Sequence, residues 1–276
     1  MTKRATHPVK LIQVSDLHFI PPGGRLYGLD PRERFEAAIA DINENHGDAE
    51  MCLFTGDLAD TGAPGAYGQL REALTRLSIP YRLLIGNHDD RANFRQAFLD
   101  APCDENGFVQ SSARVSAGEL ILLDTNEPGT DAGRFCAQRQ SWLRERLAEA
   151  RGGPIYLFMH HPPFDVGIPS MDRIKLEDAE ELAEVLSDGA NIVHLFLGHM
   201  HRPVSGSWRG IPFSILRSLV HQVPLDFATV EQVSFNRAPP AYNVILIEDG
   251  VTVVHHHDFM DDFPMPEGVV RHTAAP

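Results

Sequence analysis

The chain has 276 residues, 43% of them hydrophobic and 22% charged, so it can bury a sizeable core and does not have the composition of a disordered protein. Its 24 Lys and Arg against 38 Asp and Glu leave a net charge of −14. That balance argues against nucleic-acid polymers as partners, which call for a basic face, and leaves open a small anion held in a local pocket.

No apolar segment follows the basic residues near Met1, and no run approaches the ~18 apolar residues of a membrane span. The expectation is a cytoplasmic protein with no membrane partner. Cys52, Cys103 and Cys136 are widely spaced and odd in number, which speaks against a disulfide framework, and Cys52 lies within an apolar run.

Leu11–Val14 is the first short apolar run and reads as a buried strand. Asp30-Pro31 then forms an N-cap and N1 pair, with Phe35, Ile39 and Ile42 at helical spacing behind it. Met51–Phe54 is a second strand, and Pro64 opens a second helix with Tyr67, Leu70, Leu74 and Leu77 on one face. Tyr81–Ile85 and Leu120–Leu123 are further strands. A third helix carries Trp142, Leu143 and Leu147 and ends near Gly152-Gly153. Strand Ile155–Met159, a helix with Leu182, Val185 and Leu186 ending near Gly189, and strand Ile192–Leu197 follow. Residues 217–240 read as an irregular excursion, part of a cap or a subunit contact. Tyr242–Glu248, Asp249-Gly250 and Val251–His257 read as a hairpin, and the tail after Phe263 as extended. Strands alternating with helices predict an α/β layered fold.

The chemistry lies where the runs end. Leu11–Val14 leads into Ser15-Asp16-Leu17-His18, Met51–Phe54 into Thr55-Gly56-Asp57, and Tyr81–Ile85 into Gly86-Asn87-His88-Asp89. Ile155–Met159 leads into His160-His161-Pro162, and Ile192–Leu197 into Gly198-His199-Met200-His201. The carboxyl edge of an α/β sheet is where sites form. Each motif alone is an ordinary turn; five in one chain are not. Imidazole nitrogen, carboxylate and amide oxygen suit borderline divalent ions. Asp16 and His18, like His199 and His201, are two apart and in an extended segment would point the same way. The glycines at 56, 86 and 198 let the chain turn sharply beside them. His160 and His161 cannot both face one site from a strand, so one must point elsewhere. His255–His257 reads as a solvated strand.

The ordered set Asp16-x-His18, Gly56-Asp57, Gly86-Asn87-His88-Asp89, His160 and Gly198-His199-Met200-His201 resembles the calcineurin-like metallophosphoesterase superfamily. Gly24-Arg25-Leu26-Tyr27-Gly28, Met159–Pro163 and His221-Gln222-Val223-Pro224 resemble its bacterial class III cyclic-nucleotide phosphodiesterases, and most closely the glycerophosphodiesterases among them. Asp89 stands where many members have Glu. The resemblance implies a sandwich of two β-sheets flanked by helices, with residues 1–215 as catalytic core and 216–276 as a cap-like excursion and hairpin completing the same domain.

It also implies two divalent ions drawn from Mn, Fe, Zn and Co. One would be held by Asp16, His18, Asp57 and His201, the other by Asp57, Asn87, His160 and His199, with Asp57 bridging and His161 in a supporting place. A hydroxide between the ions would attack phosphorus in a small phosphodiester, either a glycerophosphodiester or a 3′,5′-cyclic nucleotide. Asp57, Asn87 and His88 would be catalytic. Asn87, His88, His221, Arg25 and Tyr27 would contact the substrate, the last two alternatively packing only their own loop. The subgroup implies a homo-oligomer. Alternatives are a nuclease or phosphomonoesterase of the same superfamily, or a catalytically inactive metal-binding scaffold.

Overall fold

A computed structural model describes residues 8–187 and 191–260. In chain order the elements are β1 (Val9–Val14), α1 (Pro31–Asn45), β2 (Met51–Thr55), α2 (Pro64–Leu74), β3 (Tyr81–Leu84), α3 (Arg91–Ala97), β4 (Ser111–Val115) and β5 (Gly118–Leu123). They continue with α4 (Ala137–Glu149), β6 (Ile155–Met159), α5 (Pro169–Asp172), α6 (Ala179–Ser187), β7 (Ile192–Leu197), β8 (Val204–Trp208), β9 (Ile211–Ile215), β10 (Tyr242–Glu248) and β11 (Val251–His257). The expected end of the fourth helix near Gly189 and the tail after Phe263 lie outside the described residues.

The strands form two sheets, ordered β11-β10-β1-β2-β3 and β4-β5-β6-β7-β9-β8. In the first, β1, β2 and β3 are parallel, and the antiparallel β10–β11 hairpin extends the sheet beside β1. In the second, β5, β6, β7 and β9 are parallel and both edges are antiparallel.

Side-chain alternation sorts each strand between two cores. Leu11, Leu53, Leu120, Leu122, Phe158, Phe196 and Ile245 face inward and fuse the sheets into one apolar layer. Ile12, Cys52 and Phe54 face outward onto Phe35, Ile39, Tyr67 and Leu70 of α1 and α2. Ile121, Leu123, Leu157 and Leu195 face outward onto Leu143, Leu147, Leu182 and Val185 of α4 and α6. The result is helices, sheet, sheet, helices, with central strands buried on both faces; hence their continuous apolar runs.

Asp30 caps α1 by accepting from the N–H groups of Arg32 and Glu33, with Pro31 at the first helical position. α2 stops at Leu74, so the expected Leu77 lies beyond the helix but packs on the same core. The short α3 and the strands β4, β8 and β9 lacked a usable signal: β4 reads Ser-Ser-Ala-Arg-Val and β8 Val-Ser-Gly-Ser-Trp. Residues 217–240 hold no helix or strand, only a bridge between Gln222 and Asn236. All three cysteines are free, and Cys52 is buried. No helix among the described residues is long and apolar enough to cross a membrane.

Candidate metal centre

The carboxyl ends of β1, β2, β3, β6 and β7 converge between the sheets. Gln13 ties the two sheets beneath them: its amide donates to Thr55 Oγ1 (3.2 Å) and to the Leu197 carbonyl (3.3 Å). Above it the chain leaves the strands abruptly. Asp16, His18, Asp57, His199 and His201 all have left-handed backbones, with φ between 44° and 69°. Such geometry is uncommon outside glycine and clusters at sites where the surrounding fold over-determines it. This replaces the extended-segment reading of Asp16-x-His18 and His199-x-His201. The pairs converge because each turns out of its strand, not because extended residues alternate.

The glycines also divide. Gly56 has φ 104° and needs the conformational freedom. Gly86 and Gly198 do not have positive φ; they are needed for space. A Cβ on Gly86 would lie 2.2 Å from Asp57 Oδ1, and one on Gly198 2.3 Å from Ser15 Oγ.

Asp16, His18, Asp57 and His201 place one donor atom each within 4.8 Å of one another, and all four are buried. Asp57 also reaches the other side: its Oδ2 is 3.7 Å from His18 Nε2 and 3.3 Å from His160 Nε2. His160 Nε2 lies 3.2 Å from Asn87 Oδ1. His160, His161 and His199 form a second buried group within the same 4.8 Å limit. His161 is thus beside its neighbours, because the chain bends just after Met159 and no longer obeys strand alternation. Its Nδ1 lies 2.7 Å from Thr125 Oγ1.

The tautomers follow from the acceptors. Nδ1 of His18 donates to Asp60 (3.1 Å), that of His160 to the Thr55 carbonyl (2.9 Å), and that of His201 to the His221 carbonyl (2.9 Å). Each Nε2 is then left with its lone pair facing the cluster, as in metal-binding imidazoles. His18 Nε2 and His201 Nε2 face each other at 3.1 Å, an opposition of lone pairs that a cation between them resolves. Asp16 Oδ2, His161 Nε2 and His199 Nε2 are buried with no hydrogen-bond partner. Buried polar atoms are rarely left so, and a mixed N/O set of this kind fits divalent ions.

Electrostatics agree. Burial would raise the Asp57 carboxyl, but His160, His88 and His18 outweigh it and hold it well below the usual range. Burial lowers His160, but Asp57 and Asp16 outweigh it and raise it to about 9, so at neutral pH its Nε2 gives up a proton when it takes a cation. Burial, followed by neighbouring imidazoles, holds His161 and His199 neutral.

Asn87 is half-buried and His88 exposed, so they rim the otherwise closed cluster. The His88 N–H donates to Asp57 Oδ1 (2.9 Å), and its Nδ1 to the Asp60 carbonyl (2.7 Å). His221 lies against His18, His201 and Tyr27, with ring centroids 4.6–4.9 Å apart. Tyr27 packs on His221 and Phe235 at the entrance. Arg25 is exposed, and its guanidinium donates to Gly28 of its own loop (3.4 Å).

Three contributions escaped sequence reasoning. Asp60 holds both His18 and His88. Asp89 accepts from the N–H groups of Leu58 (3.0 Å), Ala59 (2.9 Å) and Gly86 (2.9 Å) and from Tyr67 Oη (2.9 Å), locking two loops together. Burial raises its carboxyl to about 6, with Asp57 adding to the shift. Asn126, past β5, donates to the carbonyls of Gly86 (2.6 Å) and Asp89 (3.1 Å). The polar Asp124-Thr125-Asn126 after Leu120–Leu123 was the available signal.

A calcineurin-like phosphoesterase profile matches residues 9–203. The chain belongs to the calcineurin-like phosphoesterase family. It is 42% identical over 260 residues to a probable cyclic nucleotide phosphodiesterase of Rhodopseudomonas palustris, covering 93% of this chain and 95% of that one. It is 28% identical over 259 residues to a probable glycerophosphodiester phosphodiesterase of Arcobacter nitrofigilis, covering 93% and 95%. Among solved structures, a dimetal phosphatase from Danio rerio superposes with a TM-score of 0.69 at 13% identity, over 93% of this chain and 98% of that one. The last likeness is one of fold. As a phosphoesterase of this family the chain is a metal-dependent hydrolase, and its buried Asp and His clusters supply the donors.

Proposed function

We propose that the chain is a dinuclear metal-dependent phosphodiesterase for small diesters, with glycerophosphodiesters and 3′,5′-cyclic nucleotides as its substrates. The observation that carries this reading is Asp57, whose carboxylate lies between the His18 and His160 donor sets. Asp16, His18, Asp57 and His201 hold one divalent ion, and Asp57, Asn87, His160 and His199 hold the other. Mn, Fe, Zn and Co all suit such donors. When bound, an ion pair of this kind supplies Lewis acidity toward phosphoryl oxygens and lowers the pKa of water toward neutrality.

The chain's own groups do the rest. Asn87 can present its NH₂ to a phosphoryl oxygen while its Oδ1 stays beside His160. His88, held at Nδ1 by Asp60, keeps its other nitrogen for a phosphoryl oxygen or the leaving alkoxide. Burial lowers its pKa, but Asp57 and the Asp60 contacts outweigh this and favour the protonated ring that such donation requires. His221 and Tyr27 wall the approach, with Arg25 at the outer rim. A diester monoanion is attracted by this local cationic site despite the net charge of −14. The exposed Leu225, Phe227 and Val230 of the 217–240 excursion support self-association. The three free cysteines suit the reducing cytoplasm.

The test is a panel of bis(p-nitrophenyl) phosphate, glycerophosphoethanolamine, cyclic AMP and p-nitrophenyl phosphate on protein reloaded with each metal, with light scattering on the same samples. Diesters should be preferred, and Asp57→Ala should lose at least about 10³-fold in kcat together with bound metal. Full diester turnover by Asp57→Ala, with metal content unchanged, would sink the reading.

A further inference from the structure

Outside the site just described, one other mixed histidine and carboxylate cluster stands out among the described residues. Asp41, on α1, and His46, its C-cap, meet His257 of the edge strand β11, with one donor atom of each within 4.8 Å of the others. His257 Nε2 is 3.1 Å from Asp41 Oδ2. Asp41 is oriented twice over: Asn45 Nδ2 donates to its Oδ1 (2.9 Å), and the Tyr242 hydroxyl donates to its Oδ2. Tyr242 pairs with His257 across the β10–β11 ladder, so the hairpin register delivers the orienting hydroxyl and the imidazole together. His46 Nδ1 is sealed from solvent with no hydrogen-bond partner. Burial, then Lys10 and His257, lowers the pKa of His46 and favours the neutral ring that can ligate. Lys10 itself is engaged by Asp48 (2.6 Å).

The geometry points to a third metal site, in which Asp41, His46 and His257 bind a zinc-class divalent ion and clip the end of α1 to the outer edge of the first sheet. Donors about 2.0–2.2 Å from a tetrahedral ion lie roughly 3.3 Å from one another, close to the Asp41–His257 separation. Two imidazoles and one carboxylate leave a fourth position for water. The hydroxyl of Tyr242 plays the supporting part that outer hydrogen bonds play at metal sites. The site shares no residue with the centre at Asp57, so its role is structural: it joins a helix terminus to a strand more than 200 positions away in sequence.

The test uses untagged full-length protein, stripped with chelator, reloaded with Zn²⁺ and desalted. Wild type, His46→Gln and His257→Gln are compared by elemental analysis and by the Zn²⁺-induced rise in Tm. Wild type should retain about one more equivalent per chain than either variant and should gain more in Tm, while diester turnover stays the same in all three. Equal metal content and equal Tm shifts in wild type and both variants would overturn the third site. A loss of turnover with the extra equivalent would overturn its independence from the catalytic centre. Two variants on different elements guard against one that simply fails to fold.

Discussion

The two sheets meet at the same place but supply different chemistry. The first delivers the oxygens, Asp16, Asp57 and Asn87, and one imidazole, His18, with Asp60 and Asp89 behind them. The second delivers only imidazoles, His160, His161, His199 and His201. The loops that carry Asp57 and Asn87 are anchored by a dense set of backbone contacts to Asp89 and Asn126. The imidazoles are fixed by burial and by single Nδ1 bonds. A carboxylate that faces two donor sets, as Asp57 does, has its position constrained from both sides, whereas an imidazole needs only its tautomer and ring plane set.

That contrast can be broken most directly within the second sheet. His160 faces Asp57 and Asn87, while its neighbour faces Thr125. His160→Ala should cost at least about 10³-fold in kcat and one bound ion, and His161→Ala about 10-fold with both ions retained. Metal analysis and initial rates on the two variants check this, and a reversed order would reassign the ligand. In the first sheet, Asn126→Ala removes the donor to Gly86 and Asp89 without touching a candidate ligand. We expect kcat to fall about 10- to 100-fold with KM little changed, and stability to drop by about 1–3 kcal/mol. Unaltered kcat in a folded Asn126→Ala protein would show that the loop needs no such anchor.

The last prediction leaves turnover untouched and concerns a histidine of the second sheet that lies away from the centre. His194 is buried between Ser214, whose Oγ is 2.8 Å from its Nε2, and the Phe196 ring. Burial lowers it to about 4. Because the unfolded chain takes up this proton near pH 6.5 and the folded chain only near 4, stability falls as pH drops through that window. The loss is at most about 3.4 kcal/mol. His194→Gln should flatten the acid limb of a urea-midpoint against pH plot; an unchanged slope would show that other groups dominate it.

Much of this was legible in the sequence. Apolar runs at Leu11, Met51, Ile155 and Ile192 marked the strands because strands buried on both faces cannot alternate with polar residues. The motifs at their ends marked the donor sets because left-handed turns and close contacts restrict those positions to a few residue types. β4 and β8 were not legible, since antiparallel edges tolerate polar residues. Asp60, Asn126 and the true place of His161 were not legible either, because their partners lie in other loops.

By itself the sequence determined the layered α/β class, the acid and imidazole inventory and the family, all of which rest on local patterning. Only the tertiary structure decided which nitrogen of each histidine faces inward, that His160 and His161 stand side by side, and that Asp41, His46 and His257 meet at all. Those outcomes depend on distances between segments remote in the chain, and spacing along a sequence carries no such distance.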